Sequence, residues 1–373
     1  MQENERISTW RSDSHLLTFG LEQERFLCQL DGGREVGEIE AIEFFEAVRT
    51  IARKEVFAAN CPGQLILKSS LGDVVLSFDG YPHIVETSLP PSHSPSAIAR
   101  VNEALWEMLS EAATSVGFAF SLASLNGVDD SVKLFSMLSP EKRLRFEQFL
   151  EDSTKTKQYS RPNYLAMVTA SQVTLNTGSA TLYDALRGLY KYLYLIPLLF
   201  SNSNFYSNGC HSPHCCRLLV LRDSYPTTYP ATCIPCPIPR SQEEYRRLIT
   251  FPGFIRDYSF IATRRLGLVE FRPACSQTQS DRIEELISLY ALLTIVTSHS
   301  SERGNSSTGD AFWKVCTIGR PPDDYIEHLG LLQSFLPITP DQHQEPLTRL
   351  FGRAGTLFSS AQKPTSQSEQ FCS

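Results

Sequence analysis

The sequence predicts an α+β protein, and two kinds of pattern indicate this class. Stretches with β-type alternation occur in both halves of the chain, at Thr18–Leu30 and at Leu266–Arg272. Other segments carry one apolar face at helical spacing, most clearly the segment that follows Ser94-Pro95. With 373 residues and a 42% hydrophobic composition, the chain can bury a large core, as one domain or as two closely joined ones.

The first half of the chain predicts a strand, a helix, a meander of strands and a second helix. A turn at Asp31-Gly32-Gly33 ends the opening strand, and an amphipathic helix is expected from Glu38 to Val56. Three short strands are expected at Gln64–Lys68, Asp73–Phe78 and His83–Ser88. The next helix begins with a capping serine and a first-turn proline, Ser94-Pro95, and runs to Val116.

The second half alternates in a similar way. A helix is expected from Ser139-Pro140 to Leu150, before a loop at Glu151–Arg161, and β-like Tyr164–Leu175 precedes a long helix that Pro197 ends or kinks. The remaining expected elements are an irregular proline-rich segment at Pro226–Pro239, a short helix from Ser241, strands at Asp257–Thr263 and Leu266–Arg272, and helices at Asp281–Ser298 and Asp324–Phe335.

The composition argues against two classes of partner. A formal charge of -7, from 34 basic and 41 acidic side chains, gives no basic footprint for nucleic acid or for an anionic membrane. The segment Met1–Asp13 lacks the features of a secretory signal or a transit peptide, and the longest apolar stretches are too short to span a bilayer. We therefore expect a cytoplasmic protein without nucleic-acid or membrane partners.

The cysteines leave two interpretations open. The chain has 10 of them without an export signal, so a disulfide framework is not expected. Four that lie close in sequence could hold a zinc ion: Cys210, Cys215, Cys233 and Cys236. No second Cys-x-x-Cys or His-x-x-x-His completes a standard spacing, so free or partly buried thiols are the preferred interpretation.

The opening strand carries the first chemical indication. Glu22 and Glu24 share one face of it with the apolar Phe26, Cys28 and Leu30. Carboxylates held close together in a low dielectric repel each other, and a hard divalent cation would compensate them. The alternative is a glutamate at a solvated sheet rim or paired with an arginine.

Three further strands repeat this pattern of charge on one face. Glu270 shares a face with Arg272, Gln172 shares one with Thr174, and two carboxylates, Asp79 and Glu86, flank the strand at His83–Ser88. For Glu270 and Arg272 alone, a structural ion pair is the alternative. Together these faces predict an acidic concavity suited to Mg²⁺ or Mn²⁺, and magnesium sites are usually completed by substrate phosphates.

In their order along the chain, these motifs resemble the glutamate–cysteine ligase family, and within it the branch of carboxylate–amine ligases. The resemblance spans residues 16–300 and rests on Gly20-Leu21-Glu22-Gln23-Glu24, the strand around Gln172, the turn Ser203–Gly209, Arg217, and Leu268-Val269-Glu270-Phe271-Arg272-Pro273. It implies a glutamine synthetase-like architecture, in which a curved antiparallel sheet forms a funnel and helices pack outside it.

The resemblance also implies a role for each polar residue. The metal ligands would be Glu22, Glu24, Asp79, Glu86 and Glu270, with Asp79 shorter than the usual glutamate. Glu270 and Arg272 would act in catalysis, and Gln172 and Arg272 would face the nucleotide. Arg217 and Arg222 would bind the substrate carboxylate, because a guanidinium fork suits bidentate capture of that group. For Arg217 the alternative is a surface or loop-anchoring salt bridge.

The implied activity is ATP-dependent amide formation with Mg²⁺ or Mn²⁺. A substrate carboxylate would attack the γ-phosphate of ATP to give an acyl phosphate, and an amine would then displace phosphate. The metal ions would offset charge in the transfer, and no nucleophilic side chain is required. The substrates would be small molecules, an amino acid and an amine.

The chain departs from the family after Asn204, where the sequence is rich in Cys and His, and again in the proline-rich loop up to Pro239. Because specificity resides in such loops, the identity of the acid and the amine stays open. The alternative function is a non-catalytic relative that binds an amino acid or a nucleotide, or whose Cys/His segment binds zinc.

The expected domain organisation is one ligase-like catalytic domain with two flanking segments. Residues 1–14 form an N-terminal segment, residues 15–345 form the catalytic domain, and residues 346–373 form a partly disordered tail rich in Ser and Gln at its end. The apolar helices suit a core or a dimer interface equally well, which leaves a homodimer open.

Overall fold

The computed structural model describes residues 17–30, 36–52, 56–58, 63–126, 133–155, 164–176, 189–203, 214–224, 243, 260–263, 268–299 and 307–361. Its strands are β1 (Phe19–Gln29), β2 (Val56–Ala58), β3 (Gln64–Ser69), β4 (Gly72–Phe78), β5 (Ile84–Ser88), β6 (Phe118–Phe120), β7 (Ser171–Asn176), β8 (Ile261–Thr263) and β9 (Leu268–Phe271). Its helices are α1 (Glu38–Ala52), α2 (Pro95–Ser115), α3 (Pro140–Lys155), α4 (Leu195–Phe200), α5 (Cys216–Ser224), α6 (Ser280–His299), α7 (Ser307–Ile318), α8 (Tyr325–Ser334) and α9 (Asp341–Ala361). None of these described helices is both long enough and apolar enough to cross a lipid bilayer.

The strands form one open sheet in which every described pairing is antiparallel. Its order is β2-β3-β4-β5-β1-β7-β9-β8, and β6 also pairs with β1. The strand that carries Glu22 and Glu24 therefore lies inside the sheet, between β5 and β7. The α+β class is confirmed, and the funnel shape stays a prediction.

The main core lies on one face of this sheet. Phe19, Leu21 and Leu27 of β1 contribute to it at odd-numbered positions, as strand alternation requires. Phe271 of β9 stacks on Tyr290 of α6, with their ring centroids 4.0 Å apart. Helix α6 is buried on several sides, which explains why its sequence is apolar over most of its length.

Both serine–proline helix starts are confirmed. Ser94 Oγ accepts a hydrogen bond from the backbone N–H of Ala97 at 3.2 Å, and α2 begins at Pro95. Ser139 Oγ accepts from the N–H of Lys142 at the same distance, and α3 follows. Helix α3 continues to Lys155, so the prediction of a loop from Glu151 onward is wrong for its first residues.

Other boundaries differ from the prediction because tertiary pairing decides them. Val56 belongs to β2, which pairs with β3, and not to the end of α1. Tyr164–Met167 is a turn of 3₁₀-helix before β7. Leu30, expected on a buried face, is 57% exposed because β1 ends one residue earlier. The helix around Pro197 breaks at residues 193–194 and begins again as α4 with Pro197 in its first turn.

Three of the described helices, α5, α7 and α9, were not predicted. Helix α9 packs against α6 and buries Leu347, Leu350 and Phe351 in the main core. Residue 345, the expected end of the catalytic domain, lies inside this helix, and the domain organisation itself stays a prediction. Residues 1–14 and the proline-rich segment at 226–239 lie outside the described residues.

Replacing Leu350 by Ala tests the placement of α9. Leu350 is fully buried, so we expect its truncation to lower the free energy of unfolding by about 2–5 kcal/mol, as measured by urea titration. The control is Ile326→Ala on α8, which is 47% exposed and should change the free energy by about 0.5 kcal/mol. Equal effects of the two changes would show that α9 does not belong to the core.

His343 gives α9 a pH-dependent contribution to stability. Its Nδ1 lies 3.0 Å from Ser288 Oγ, its ring meets the edge of Phe19, and burial lowers its pKa to about 4. The folded state keeps this ring neutral while the unfolded chain binds a proton below pH 6.5, so stability falls as pH falls from about 6.5 to about 4. The loss attributable to this ring reaches at most about 3 kcal/mol.

The measurement is the free energy of unfolding of the wild type and of His343→Gln at pH 7.5, 5.5 and 4.5. We expect the wild type to lose more stability than the variant over this range. A constant difference between the two proteins would mean that His343 is not held neutral.

Candidate metal and nucleotide site

The polar positions predicted from the sequence lie on the sheet face opposite the main core, called here the site face. The register pairs Glu24 with Glu86, Glu22 with Gln172 and Thr174 with Glu270. Residues directly opposite each other in antiparallel strands point to the same side, so β5, β1, β7 and β9 each contribute polar side chains to one surface. The alternation inferred from the sequence is confirmed for these strands.

Three carboxylates on this face form an acidic cluster. Glu24, Asp79 and Glu86 each present an oxygen, and these oxygens all lie within 4.8 Å of one another. Glu24 comes from β1, Glu86 from β5 and Asp79 from the turn between β4 and β5. Glu22 and Glu270, the other two carboxylates predicted as metal ligands, are on the same face but outside this group.

Hydrogen bonds fix the orientation of two members of the cluster. The backbone N–H of Ala170 donates to Glu24 Oε2 at 2.9 Å, and Gln172 Nε2 donates to Glu24 Oε1. Ser77 Oγ donates to Glu86 Oε1 at 2.9 Å. Gln172 therefore acts here on Glu24, a contact that its register position opposite Glu22 does not reveal.

Burial raises the pKa of Glu24 well above its usual value, and the neighbouring charges of Asp79 and Glu86 raise it further. Burial also raises the pKa of Glu86, against the opposing effect of Lys142. The cluster thus holds more negative charge than its surroundings stabilise, and a cation would lower this cost.

Lys142, which the sequence analysis did not single out, supplies one such cation from the first turn of α3. Its Nζ lies 2.9 Å from Asp79 Oδ1 and 3.5 Å from Glu86 Oε1, and it donates to the carbonyl oxygen of Phe78 at 3.2 Å. Burial alone would lower the pKa of this lysine, but Asp79 and Glu86 raise it above its usual value. The sequence predicted only that a helix begins at Ser139. This prediction does not indicate that Lys142 contacts Asp79 and Glu86.

The donor set fits a hard divalent ion. Carboxylate oxygens are the preferred ligands of Mg²⁺ and Mn²⁺. In this structure the ammonium of Lys142 compensates the charge of two of the three carboxylates, Asp79 and Glu86. Among the described residues, this cluster is the one place where His, Cys, Asp or Glu side chains bring three ligand atoms close enough together to hold a metal ion.

Glu270 and Arg272 form an ion pair through Arg272 Nε and Glu270 Oε1. Glu270 is buried and Arg272 is half-buried. This is the pairing that the sequence analysis left open as a structural alternative, and it also fixes the guanidinium of Arg272 beside a carboxylate of the site face.

The two arginines predicted to bind substrate have different surroundings. Arg217 is buried in α5 and donates to the carbonyl oxygens of Arg272, Pro273 and Ala274 at 3.2–3.4 Å. These contacts anchor the chain that follows β9, as the loop-anchoring alternative requires, although the partners are carbonyls and not a carboxylate. Arg222 lies over the ring of Trp313, 5.3 Å from its centroid.

The cysteines in the described part of the chain give the zinc interpretation no support. Cys210, Cys233 and Cys236 lie outside the described residues. Cys215 is buried, its Sγ lies 3.8 Å from Cys275 Sγ, and burial raises its pKa to about 11. A thiol in these surroundings packs as a small apolar side chain.

No protein-family model matches this sequence, and no curated protein matches it. In fold, the chain is similar to a bifunctional glutathione synthetase from Pasteurella multocida, with a TM-score of 0.63 and 10% identity over 97% of this chain and 52% of that one. This chain thus spans about half the length of that protein. It is also similar to a glutamate–cysteine ligase from Francisella tularensis in complex with AMP, with a TM-score of 0.62 and 11% identity over 93% of this chain and 83% of that one. At such identities the comparisons establish a shared fold, while the funnel shape that the resemblance implied stays a prediction.

Proposed function

We propose that this protein is an ATP- and Mg²⁺-dependent ligase that joins the carboxylate of an amino acid to an amine. The observation that carries the proposal is the acidic cluster of Glu24, Asp79 and Glu86 on the site face of the sheet. The fold shared with a glutamate–cysteine ligase supports it, because Glu24 lies on β1, the strand that carries the first family-like motif, and Glu86 lies opposite it on β5.

In this proposal Glu22, Glu24, Asp79, Glu86 and Glu270 hold the divalent ions. Bound Mg²⁺ would offset negative charge on the phosphates of ATP during transfer. Ala170 N–H and Gln172 orient Glu24, which keeps its oxygens as acceptors. Arg272, held by Glu270, presents a guanidinium that suits a phosphoryl group.

The second candidate is a non-catalytic relative that binds an amino acid or a nucleotide. It is favoured by the cations that already face the proposed ligands, Lys142 at Asp79 and Glu86, and Arg272 at Glu270. Such pairs would be sufficient to stabilise the fold without any metal ion.

The deciding experiment incubates the protein with ATP, Mg²⁺, and a panel of amino acids and amines. ADP and phosphate are measured enzymatically, and new amides are detected by mass spectrometry. A ligase forms one amide per ADP for at least one pair of substrates. Binding of a nucleotide or an amino acid without any turnover would favour the second candidate.

Glu24→Gln tests the cluster directly. We expect ADP formation to fall by about 100-fold or more, because the change removes a negative charge and replaces an acceptor oxygen by an amide nitrogen that faces N–H donors. Glu22→Gln and Glu270→Gln should also lower the rate of ADP formation. The control is Glu103→Gln on the exposed side of α2, which should leave the rate unchanged. A full rate in Glu24→Gln would show that the proposed metal site is wrong.

Arg217→Lys separates substrate binding from anchoring. Lysine keeps the charge but cannot reach three carbonyl oxygens with the geometry of a guanidinium, so we expect Tm to fall by several degrees while KM for the acid substrate stays within about twofold. The measurements are thermal unfolding and steady-state kinetics. A KM raised about tenfold at an unchanged Tm would instead place Arg217 at the substrate.

A further inference from the structure

Helix α3 is fixed to the edge of the acidic cluster at more than one point. Phe146 packs at the turn between β4 and β5, where Gly80 has φ +78° and a Cβ would lie 2.5 Å from the Phe146 ring. The ring of Tyr81 meets that of Phe146 edge-on, with centroids 6.0 Å apart. Arg143 Nη2 also donates to the carbonyl oxygen of Phe135 at 2.8 Å. The backbone that carries Lys142 is therefore held beside the cluster by a docked helix.

Lys142 contacts acceptors that a divalent ion would also use. Asp79 and Glu86 face both the ammonium and Glu24, whose oxygen lies within 4.8 Å of theirs. A second cation at this position would experience direct repulsion from a neighbouring ammonium in a partly buried site. Binding of the ion and the present position of Lys142 therefore oppose each other.

We propose that Lys142 is a tethered competitor of the divalent ion at Glu24, Asp79 and Glu86, and that it sets the metal concentration at which this cluster is loaded. The proposal rests on the metal site of the proposed function and adds its regulation. When the ion binds, the ammonium moves away from Asp79 and Glu86. Binding of the metal ion therefore weakens the contact between the first turn of α3 and the cluster, and that contact in turn weakens binding of the ion.

The test measures Mn²⁺ binding to the full chain without nucleotide, by electron paramagnetic resonance of the free ion. Lys142→Met removes the charge and keeps most of the apolar stem, so we expect one Mn²⁺ ion to bind at least about tenfold more tightly than in the wild type. Lys142→Arg keeps the charge and should stay within about threefold of the wild type. Arg143→Met is the matched control, because it loosens the same helix without removing a charge from the cluster.

A second measurement compares the Tm of each protein in EDTA and in Mn²⁺. We expect Lys142→Met to unfold at a lower temperature than the wild type in EDTA. Its Tm should rise more on addition of Mn²⁺ than the Tm of the wild type does. If Lys142→Met does not fold in EDTA, Lys142→Gln, which keeps a hydrogen-bond donor without the charge, replaces it in both measurements.

Equal or weaker Mn²⁺ binding by the neutral variants overturns the inference, and so does tightening of the same size in Arg143→Met. Absence of Mn²⁺ binding in every variant overturns it together with the proposed metal site. Because no ATP is used, a protein that shows the expected tightening but forms no amide refutes the ligase activity alone. An active ligase with unchanged Mn²⁺ affinity in Lys142→Met refutes the competitor alone.

Discussion

The antiparallel pairing of β1 with both β5 and β7 is the constraint on which the site depends. Strand alternation sends odd-numbered residues of β1, such as Leu21, into the main core and even-numbered residues, such as Glu22 and Glu24, to the opposite face. A slip of one residue in either register would bring carboxylates into the apolar core. The large cost of burying those charges therefore helps to specify the pairing that assembles the site.

Electrostatic balance is the second constraint, and distant parts of the chain provide it. Two unit charges separated by 4.8 Å at an effective dielectric constant of about 20 repel by roughly 3 kcal/mol, and the acidic cluster contains three such pairs when every member is ionised. Lys142 from α3, the N–H of Ala170 and the hydroxyl of Ser77 compensate part of this repulsion. These groups are far apart in sequence and meet only in the fold.

The difference between features set by local sequence and features set by distant contacts explains which of them could be predicted. The shared face of Glu22 and Glu24 follows from alternation within one strand, and the start of α2 follows from the local chemistry of Ser94-Pro95, so both were predicted correctly. Lys142 could not be assigned to the cluster, because its contact with Asp79 depends on how α3 docks across the sheet. The predicted end of α1 was wrong and α9 was not predicted for a similar reason, since the pairing of β2 with β3 and the packing of α9 on α6 decide these two features.

The ammonium at the cluster also bears on how the protein folds before any metal ion binds. Domains are stable by about 5–15 kcal/mol, and an uncompensated buried charge can cost several kcal/mol. A sheet that brings Glu24, Asp79 and Glu86 together without a cation would use up a large part of that stability. Lys142 reduces this cost, so the sheet can form with its ligands already arranged, while the remaining negative charge of the cluster still attracts a divalent ion. A lysine suits this purpose better than an arginine, because its single flexible ammonium makes fewer directional contacts and can leave the carboxylates more easily.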